Sequence, residues 1–456
     1  MQLRTLFSEH ERRRLWRAVW LALAESQAQD GLISREELED LHAHRNDIDI
    51  DAALTIEREI HHDLMAEIRV FASQAPVGGG KLHLGSTSMD IEDTVEIYRL
   101  RRALSFIGSS LDQLLRSFAR EVEQHADLVC MGFTHLQPAE PTTLGYRLAA
   151  YAQDLLIDEQ NLRFVFGNLT AKGLRGAVGT SASYDRLLAG TAGSSAAQET
   201  YVLEKFGLTA RDVSTQTYPR KLDYLVLSAL AGLAASLSKF AGDIRILSSP
   251  EFGEVFEPFG KAQVGSSAMP FKRNPILCER INSLSRLLPN FADVAWQNAA
   301  TNYLERTLDD SANRRTILPE ALLCADEIVS LARRVVDGLR VDVRRVSQNL
   351  RTYGPFSGTE AVMMEAVRSG ANRQEVHEKI RTAAMEAWSA LSRGEENPLG
   401  TLLTEDAAFT QRMDPAEIRR LLEPVKHIGT AAVRARKVAW EIGELDDFPQ
   451  QSEAIP

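Results

Sequence analysis

Leu144-Gly145-Tyr146-Arg147-Leu148-Ala149-Ala150-Tyr151-Ala152-Gln153-Asp154-Leu155-Leu156-Ile157-Asp158-Glu159-Gln160-Asn161-Leu162 is the stretch whose reading decides the fold. Its large apolar residues Leu144, Leu148, Tyr151, Leu155 and Leu162 fall at the three-, four- and seven-residue spacings of one buried helical face. The stretch opens directly after the breaker run Pro138 to Pro141, where a helix start is expected. Upstream, Ile56, Ile60, Leu64, Ile68 and Phe71 repeat the period. Long helices are predicted near 91–126, 142–172, 221–249, 275–303 and 316–340, well beyond the ~10–14 residues of an average globular helix. Such lengths suit helices running side by side in a bundle. Residues 225–240 are rich in Ala, Ser and Gly, which lets neighbouring backbones approach closely. No sustained polar–apolar alternation argues for a sheet, so the expected fold class is all-α.

The chain of 456 residues is long enough for about three domains at roughly 150 residues each. We place an N-terminal helical domain at 1–100, the central long-helix bundle at 101–357, and a C-terminal helical domain at 358–456, after Tyr353-Gly354-Pro355. Residues 444–456 read as an acidic, frayed tail. Lys+Arg 52 against Asp+Glu 63 gives a net charge of -11, which disfavours nucleic acid as a partner while leaving room for a small anion in a local basic cluster. Cys130, Cys278 and Cys324 form no C-x-x-C, so they offer neither a metal site nor a disulfide frame and fit a reducing compartment. No motif calls for a cofactor. The N-terminus lacks an apolar signal core, and the longest apolar stretch, Tyr224 to Lys239, is shorter than the ~20 residues of a membrane span. A cytoplasmic protein without a membrane partner is expected.

From Pro250 to Pro275 the chain carries four Pro and three Gly, with Phe252, Phe256 and Phe259 among them. A connection this long inside a compact domain is usually functional or disordered, and its aromatics favour a lid that orders over a ligand. It ends in Gly265-Ser266-Ser267-Ala268-Met269-Pro270-Phe271-Lys272-Arg273-Asn274-Pro275. Pro275 suits the first position of a helix, which makes Asn274 the expected N-cap. Two serines, two cations and a helix N-terminus describe an anion site, although a capped flexible loop is also consistent with these residues.

Four other segments hold polar groups of interest. Gly132-Phe133-Thr134-His135-Leu136-Gln137-Pro138 places His135 off any apolar stripe, where it can act as a general acid or base. Lys81-Leu82-His83-Leu84-Gly85-Ser86-Thr87-Ser88-Met89-Asp90 precedes a helix, so Thr87 and Ser88 can cap it or bind a carboxylate. Gly78-Gly79-Gly80-Lys81 fails the spacing of a phosphate loop. His62 is expected on the helix carrying Ile60 and Leu64, pointing away from their stripe. In Glu305 to Arg315, Ser311 and Arg315 share a helical face, and Arg315 can fork onto carboxylate or phosphate, although charge runs of this kind are commonly solvated.

Taken together, these segments resemble a known family. The Gly-Ser-Ser, Met-Pro, Lys and Asn-Pro of the loop resemble the signature of the fumarase/aspartase superfamily. His83 to Asp90, Gly132 to Thr143, Gln216-Thr217-Tyr218-Pro219-Arg220-Lys221 with Asp223, Glu305 to Arg315, and Asn372 to Arg381 resemble its adenylosuccinate lyase branch, in matching order over nearly the whole chain. The resemblance implies fumarate elimination from adenylosuccinate, giving AMP, and from succinyl-carboxamide imidazole ribotide, giving AICAR, in purine nucleotide biosynthesis. It implies Ser266 as general base and His135 as general acid, with Glu279 supporting the lysine or histidine. Lys272 and Asn274, with Thr87 and Ser88, are implied to hold the succinyl carboxylates. His62, His83, Gln216, Arg280, Arg306, Ser311 and Arg315 are implied to contact the nucleotide or its phosphate, and Asp63 and Thr134 join the substrate-binding set. It also implies a homotetramer with sites shared between subunits.

His61 stands where some relatives have arginine, and Phe271 replaces a His or Tyr. The Arg-Tyr pair that relatives carry lies upstream of the helix corresponding to Leu6 to Leu23, before this sequence starts. The alternatives are another fumarate-releasing lyase of the superfamily, of argininosuccinate or aspartate type, or a non-catalytic helical scaffold.

Overall fold

The computed structural model describes residues 3–260, 262–265, 267–269 and 271–452, and 66% of the chain is helical. Each helix below is numbered as it enters the argument. The first, α1 (Glu9–Gln29), starts at Ser8, whose hydroxyl accepts the Glu11 N–H at 3.2 Å. The stripe from Ile56 to Phe71 is not one helix. It divides into α2 (Ile50–Ile60) and α3 (Asp63–Gln74), because His61 turns left-handed (φ 55°) and terminates the first. His62 is therefore the N-cap of α3 and not a mid-helix residue, its Nδ1 3.4 Å from the Met65 N–H. This corrects its expected placement.

The bundle is built from α4 (Ser88–Gln124), α5 (Leu144–Asn168), α6 (Lys221–Leu247), α7 (Ile276–Ser285), α8 (Leu288–Ala300) and α9 (Ser311–Asp337). α6 runs through its middle and packs on α5, α7, α8 and α9. Val226, Leu227, Leu230, Leu233, Leu237 and Phe240 face the core, while Gly232 and Ala235 on another side are exposed. By length and composition α6 could cross a membrane, which corrects the shorter apolar stretch read at 224–239. Here it is the shared centre of a helical bundle. The helix expected at 275–303 is interrupted at Arg286-Leu287, since Pro289 has no N–H to continue the ladder.

Two short antiparallel ribbons interrupt the helices, of which only the first is a hairpin. β1 (Val129–Thr134) and β2 (Gln137–Thr143) pair antiparallel, closing at Thr134 opposite Gln137. β3 (Val255–Phe256) pairs with β4 (Arg340–Val341), which leads into α10 (Val343–Tyr353). Neither ribbon announces itself in the sequence: β3 and β4 are two residues each, and Pro138 and Pro141 break the β2 pattern. A two-stranded ribbon tolerates them because each strand is an edge.

Residue 100, the expected domain boundary, lies in the interior of α4, a single helix of 37 residues. The C-terminal unit has its own core, including Val362, Val376, Ile380, Leu399, Phe409 and Ile418. α11 (Ala431–Gly443) instead returns to pack on α4 and α5. The expected frayed tail is docked up to Ser452. Phe448 is 1% exposed, and its N–H reaches Asp112 Oδ2 at 2.7 Å. Arg101 Nε donates to Gln451 Oε1 at 2.6 Å, and Gln451 Nε2 donates to the Phe206 carbonyl at 2.6 Å. Gly108 makes room, since a Cβ there would lie 2.2 Å from the Phe448 ring. Phe448→Ala should therefore cost ~3–5 kcal/mol, read as a lower Tm at fixed protein concentration. An unchanged Tm would mean that the tail contributes nothing to stability.

Candidate active site

A buried ion lattice fixes one wall of the site. Arg220, 2% exposed and just ahead of α6, donates from Nη1 to Asp93 Oδ1 at 3.0 Å and from Nε to Asp310 Oδ2 at 2.6 Å. Asp93 belongs to α4, and Asp310 immediately precedes α9. Arg306 donates to the other Asp310 oxygen at 2.9 Å, and Arg314 Nε donates to Asp223 Oδ2 at 2.6 Å. The Tyr218 N–H meets Asp93 Oδ2 at 2.9 Å, and its hydroxyl meets Asp223 Oδ1 at 2.6 Å. Burial opposes the Asp310 charge, but Arg220, Arg314 and Arg306 outweigh it and hold the carboxyl below its usual range. Arg220 Nη2 has no hydrogen-bond partner among the described residues. The run from Glu305 to Arg315 is thus largely a structural clamp.

That clamp aims the remaining polar groups. Arg306, Ser311 and Arg315 line one cavity of about 310 Å³ together with Arg12, Arg99, Trp16, Met89 and Glu92. Arg315 Nη2 donates to Asp63 Oδ2 at 2.8 Å, and the neighbouring His62 has its Nε2 3.4 Å from Ser88 Oγ. Four of the expected binding residues (His62, Asp63, Ser88 and Arg315) are thereby linked across α3, α4 and α9. The Gln216 N–H donates to the Glu305 carbonyl at 3.2 Å, which brings that segment alongside. Thr87 is the N-cap of α4, its N–H donating to Asp90 Oδ2 at 2.9 Å. Burial, reinforced by Asp63, pushes the Glu92 carboxyl up to about 8 despite Arg315, so this acid is neutral near pH 7 and adds no charge to the carboxylates that already pair with the cavity arginines.

Two expected histidines sit in left-handed backbone, uncommon for residues with a side chain. His83 has φ 66°. His135 and Leu136 have φ 54° and 60°, the two positive values of a type I′ hairpin turn usually formed by Asn-Gly. The turn carries His135 and Thr134 out into solvent at the hairpin tip. Strain of this kind persists where surrounding structure enforces it, and it is enriched at functional sites.

The loop expected to be one lid behaves as two parts. Residues Glu254 to Glu257 are anchored, with Glu254 buried against Asn349 and the Phe252 ring 4.8 Å from Phe133. Glu257 is also buried, and its two oxygens accept the Leu277 and Cys278 N–H groups at 3.1 and 2.9 Å. This carboxylate occupies the α7 N-terminus, which corrects the expectation of a free helix end facing the ligand. Asn274 is not the N-cap, since Pro275 holds that position, and its side chain instead donates to the Gly265 carbonyl at 3.0 Å. Lys272 and Arg273 are exposed. Ser266 lies outside the described residues. Glu279 is 3.9 Å from Arg245 and Arg280 is 3.9 Å from Glu327; both are largely exposed, and neither reaches Lys272 or His135.

Among the described residues, then, the expected groups fall into three places on one chain. These are the cavity wall with Arg306, Ser311 and Arg315, next to which, outside the lining, Asp63 on Arg315 is followed by the His62–Ser88 contact and His83; the hairpin tip with Thr134 and His135; and the loop with Lys272 and Asn274 leading to Glu279 and Arg280. No hydrogen bond or ion pair joins these places. Arg12, Glu92 and Lys172 went unmarked in the sequence. Lys172 is buried against Asp90, on which the loop before α4 is organised. A lone lysine and an arginine inside an ordinary charged run carry no periodic or motif signal.

A family model described as lyase matches residues 3–287, and one described as adenylosuccinate lyase C-terminus matches residues 355–438. The adenylosuccinate lyase of Schistosoma mansoni is 38% identical over 408 residues, covering 88% of this chain and 85% of its own length. That of Saccharomyces cerevisiae is 36% identical over 442 residues, covering 96% and 91%. The crystal structure of 3-carboxy-cis,cis-muconate lactonizing enzyme from Pseudomonas putida superposes with a TM-score of 0.84 at 25% identity, over 97% of each chain. The helical bundle and the matched model define a lyase. The chain belongs to the adenylosuccinate lyase family.

The state of Glu92 sets a pH dependence for anion binding in this cavity. Below about pH 8 its carboxyl is neutral. Above that it ionises among the arginines and competes with an anionic ligand. The affinity for inorganic phosphate, measured by titration calorimetry, should fall as pH rises through this range, and Glu92→Gln should remove the fall. An identical pH dependence in the variant would assign the effect elsewhere.

Proposed function

We propose that Ser266 and His135 carry out the fumarate elimination of this adenylosuccinate lyase family member, acting on adenylosuccinate and on succinyl-carboxamide imidazole ribotide. The base removes a proton from the succinyl carbon next to a carboxylate, and the electron pair builds up as negative charge on that carboxylate. The C–N bond then breaks, the pair forms the fumarate double bond, and the departing amine takes a proton from the acid. One proton leaves carbon, one reaches nitrogen, and the products are AMP or AICAR with fumarate.

Preorganised donors lower the barrier where that charge appears. Lys272 and Asn274 are the groups assigned to it, with Thr87 and Ser88 on the second carboxylate. Since Glu257 occupies the α7 N-terminus, the helix dipole adds little and the lysine ammonium carries most of the stabilisation. His135 suits proton donation to the amine. A serine hydroxyl is a poor base in water, and loop closure over a dry site beside Lys272 is what makes its ionisation less costly. Arg306, Ser311 and Arg315 grip the phosphate, while Gln216, His62 and His83 face the nucleotide. The observation that carries this reading is the cavity in which Arg306, Ser311 and Arg315 converge within reach of His62 and Ser88.

The separation of the three groups of residues on one chain supports a site completed by neighbouring copies in a homotetramer. Exposed Ile157, Phe164 and Trp296 on α5 and α8 offer surface for such packing. The three free, buried thiols support action in the cytoplasm. Ser266→Ala should abolish fumarate release, followed by ultraviolet absorbance, while AMP still binds. Near-normal kcat would refute its role as base. Mixing that variant with an inactive His135→Gln variant under exchange conditions should restore partial activity if sites are shared. Continued inactivity of a verified mixed oligomer would place each site within one chain.

A further inference from the structure

Trp20 and Gln27 lie seven residues apart, two turns along one face of α1, and both hold the loop that precedes α4. Gln27 Nε2 donates to the Leu84 carbonyl at 3.1 Å. Trp20 Nε1 lies 3.0 Å from His83 Nδ1, with the two rings nearly perpendicular at 86°. An indole nitrogen can only donate a hydrogen bond. Nδ1 must therefore present its lone pair, and a neutral ring then carries its proton on Nε2. Protonating Nδ1 would turn two N–H groups against each other and break the Trp20 bond.

The surroundings act the same way. Asp90 is the carboxylate that would favour a charged His83, but Lys172, the Tyr184 hydroxyl and the N–H groups of Thr87, Arg175 and Gly176 already bind it. His62, from the α2–α3 junction, adds a further group that disfavours a second positive charge. Burial is the largest influence, and despite Asp90 the imidazole is pushed down to about 4. His83 thus stays uncharged around neutral pH.

We propose that Trp20 is a positioning residue that locks His83 as the Nε2–H tautomer, so that His83 meets the substrate as a fixed neutral hydrogen-bond donor and not as an acid or base. The inference about the substrate rests on the adenylosuccinate reading, whereas the tautomer does not. It leaves proton transfer to other residues and gives His83 one task, donation to an acceptor on the nucleotide portion. Its left-handed backbone (φ 66°) aims the ring for this task.

Nitrogen-15 spectra of the histidine-labelled enzyme, with His83 assigned by difference against His83→Gln, test the tautomer directly. Nδ1 should be unprotonated with no titration from about pH 5.5 to 9, against ~6.5 for an ordinary histidine. In Trp20→Phe, which keeps the burial but removes the donor, the ring should stay uncharged over this range yet populate the Nδ1–H tautomer as well, and kcat/KM should fall without a new acidic limb. Kinetics separate the roles. A glutamine amide N–H replaces Nε2–H, so His83→Gln should retain nearly full kcat/KM, while His83→Leu should lose about tenfold. An acid or base would instead lose ~10²–10⁴-fold in both variants. A wild-type His83 that titrates near pH 6.5, carries its proton on Nδ1, or fails equally as Gln and Leu overturns the proposal. If Trp20→Phe does not fold, the wild-type spectrum and the His83 pair still decide. Absence of turnover of adenylosuccinate by the wild type would sink the functional reading while leaving the spectral result intact.

Discussion

The site depends first on Arg220. A guanidinium buried between Asp93 and Asp310 ties α4 to the start of α9, and its neighbours Tyr218 and Asp223 extend the tie to Arg314 and the head of α6. Replacing such a network with apolar residues is often neutral for stability, whereas removing one partner strands a buried charge. Its value here is geometric. Asp93, Asp223 and Asp310 are held by the network, and Arg306, Ser311 and Arg315 are fixed on one cavity wall, Arg306 paired with Asp310 and Arg315 with Asp63.

A second constraint is backbone strain. His61, His83 and His135 all lie at positive φ. His61 ends one helix so that His62 can begin the next. His83 is held by Trp20 from outside its own loop, and His135 occupies a hairpin turn that Asn-Gly would form more easily. His83 is held by contacts from α1, whereas His61 and His135 are exposed and take their conformation from the chain reversal between two helices and from the two-residue turn that closes the β1–β2 ladder. The anchored Glu254–Glu257 segment does similar work for the loop that follows: Glu257 caps α7, so the start of that helix is fixed whatever the residues before Pro275 do.

Much of this was legible in the residues. Helical periodicity predicts the bundle helices within a few residues, and residue type marks the segments around His83, His135, Asn274 and Arg315. The errors have physical causes. Pro289 is tolerated near a helix start as readily as it ends one, so the break between α7 and α8 could not be read from spacing. His61 carries no breaker signal, yet it takes the left-handed C-cap of one helix and His62 caps the next, which the apolar spacing alone does not register. The tail looked frayed because Asp446, Asp447 and Pro449 are polar or helix-breaking, yet the single large residue among them, Phe448, finds its slot only against Gly108, some 340 positions away in sequence.

The one-dimensional pattern determined the helical class, the long central segments and the identity of the chemistry-bearing groups, because periodicity and side-chain type are local properties. Only the folded chain decided which of those groups meet. Asp63 reaches Arg315 and Trp20 reaches His83 across 252 and 63 residues. Folding also decided their protonation. A glutamate is neutral near pH 7 at position 92, and a histidine is uncharged at position 83, because burial and neighbouring charges set the energy of an ion, and neither is encoded by the residue itself.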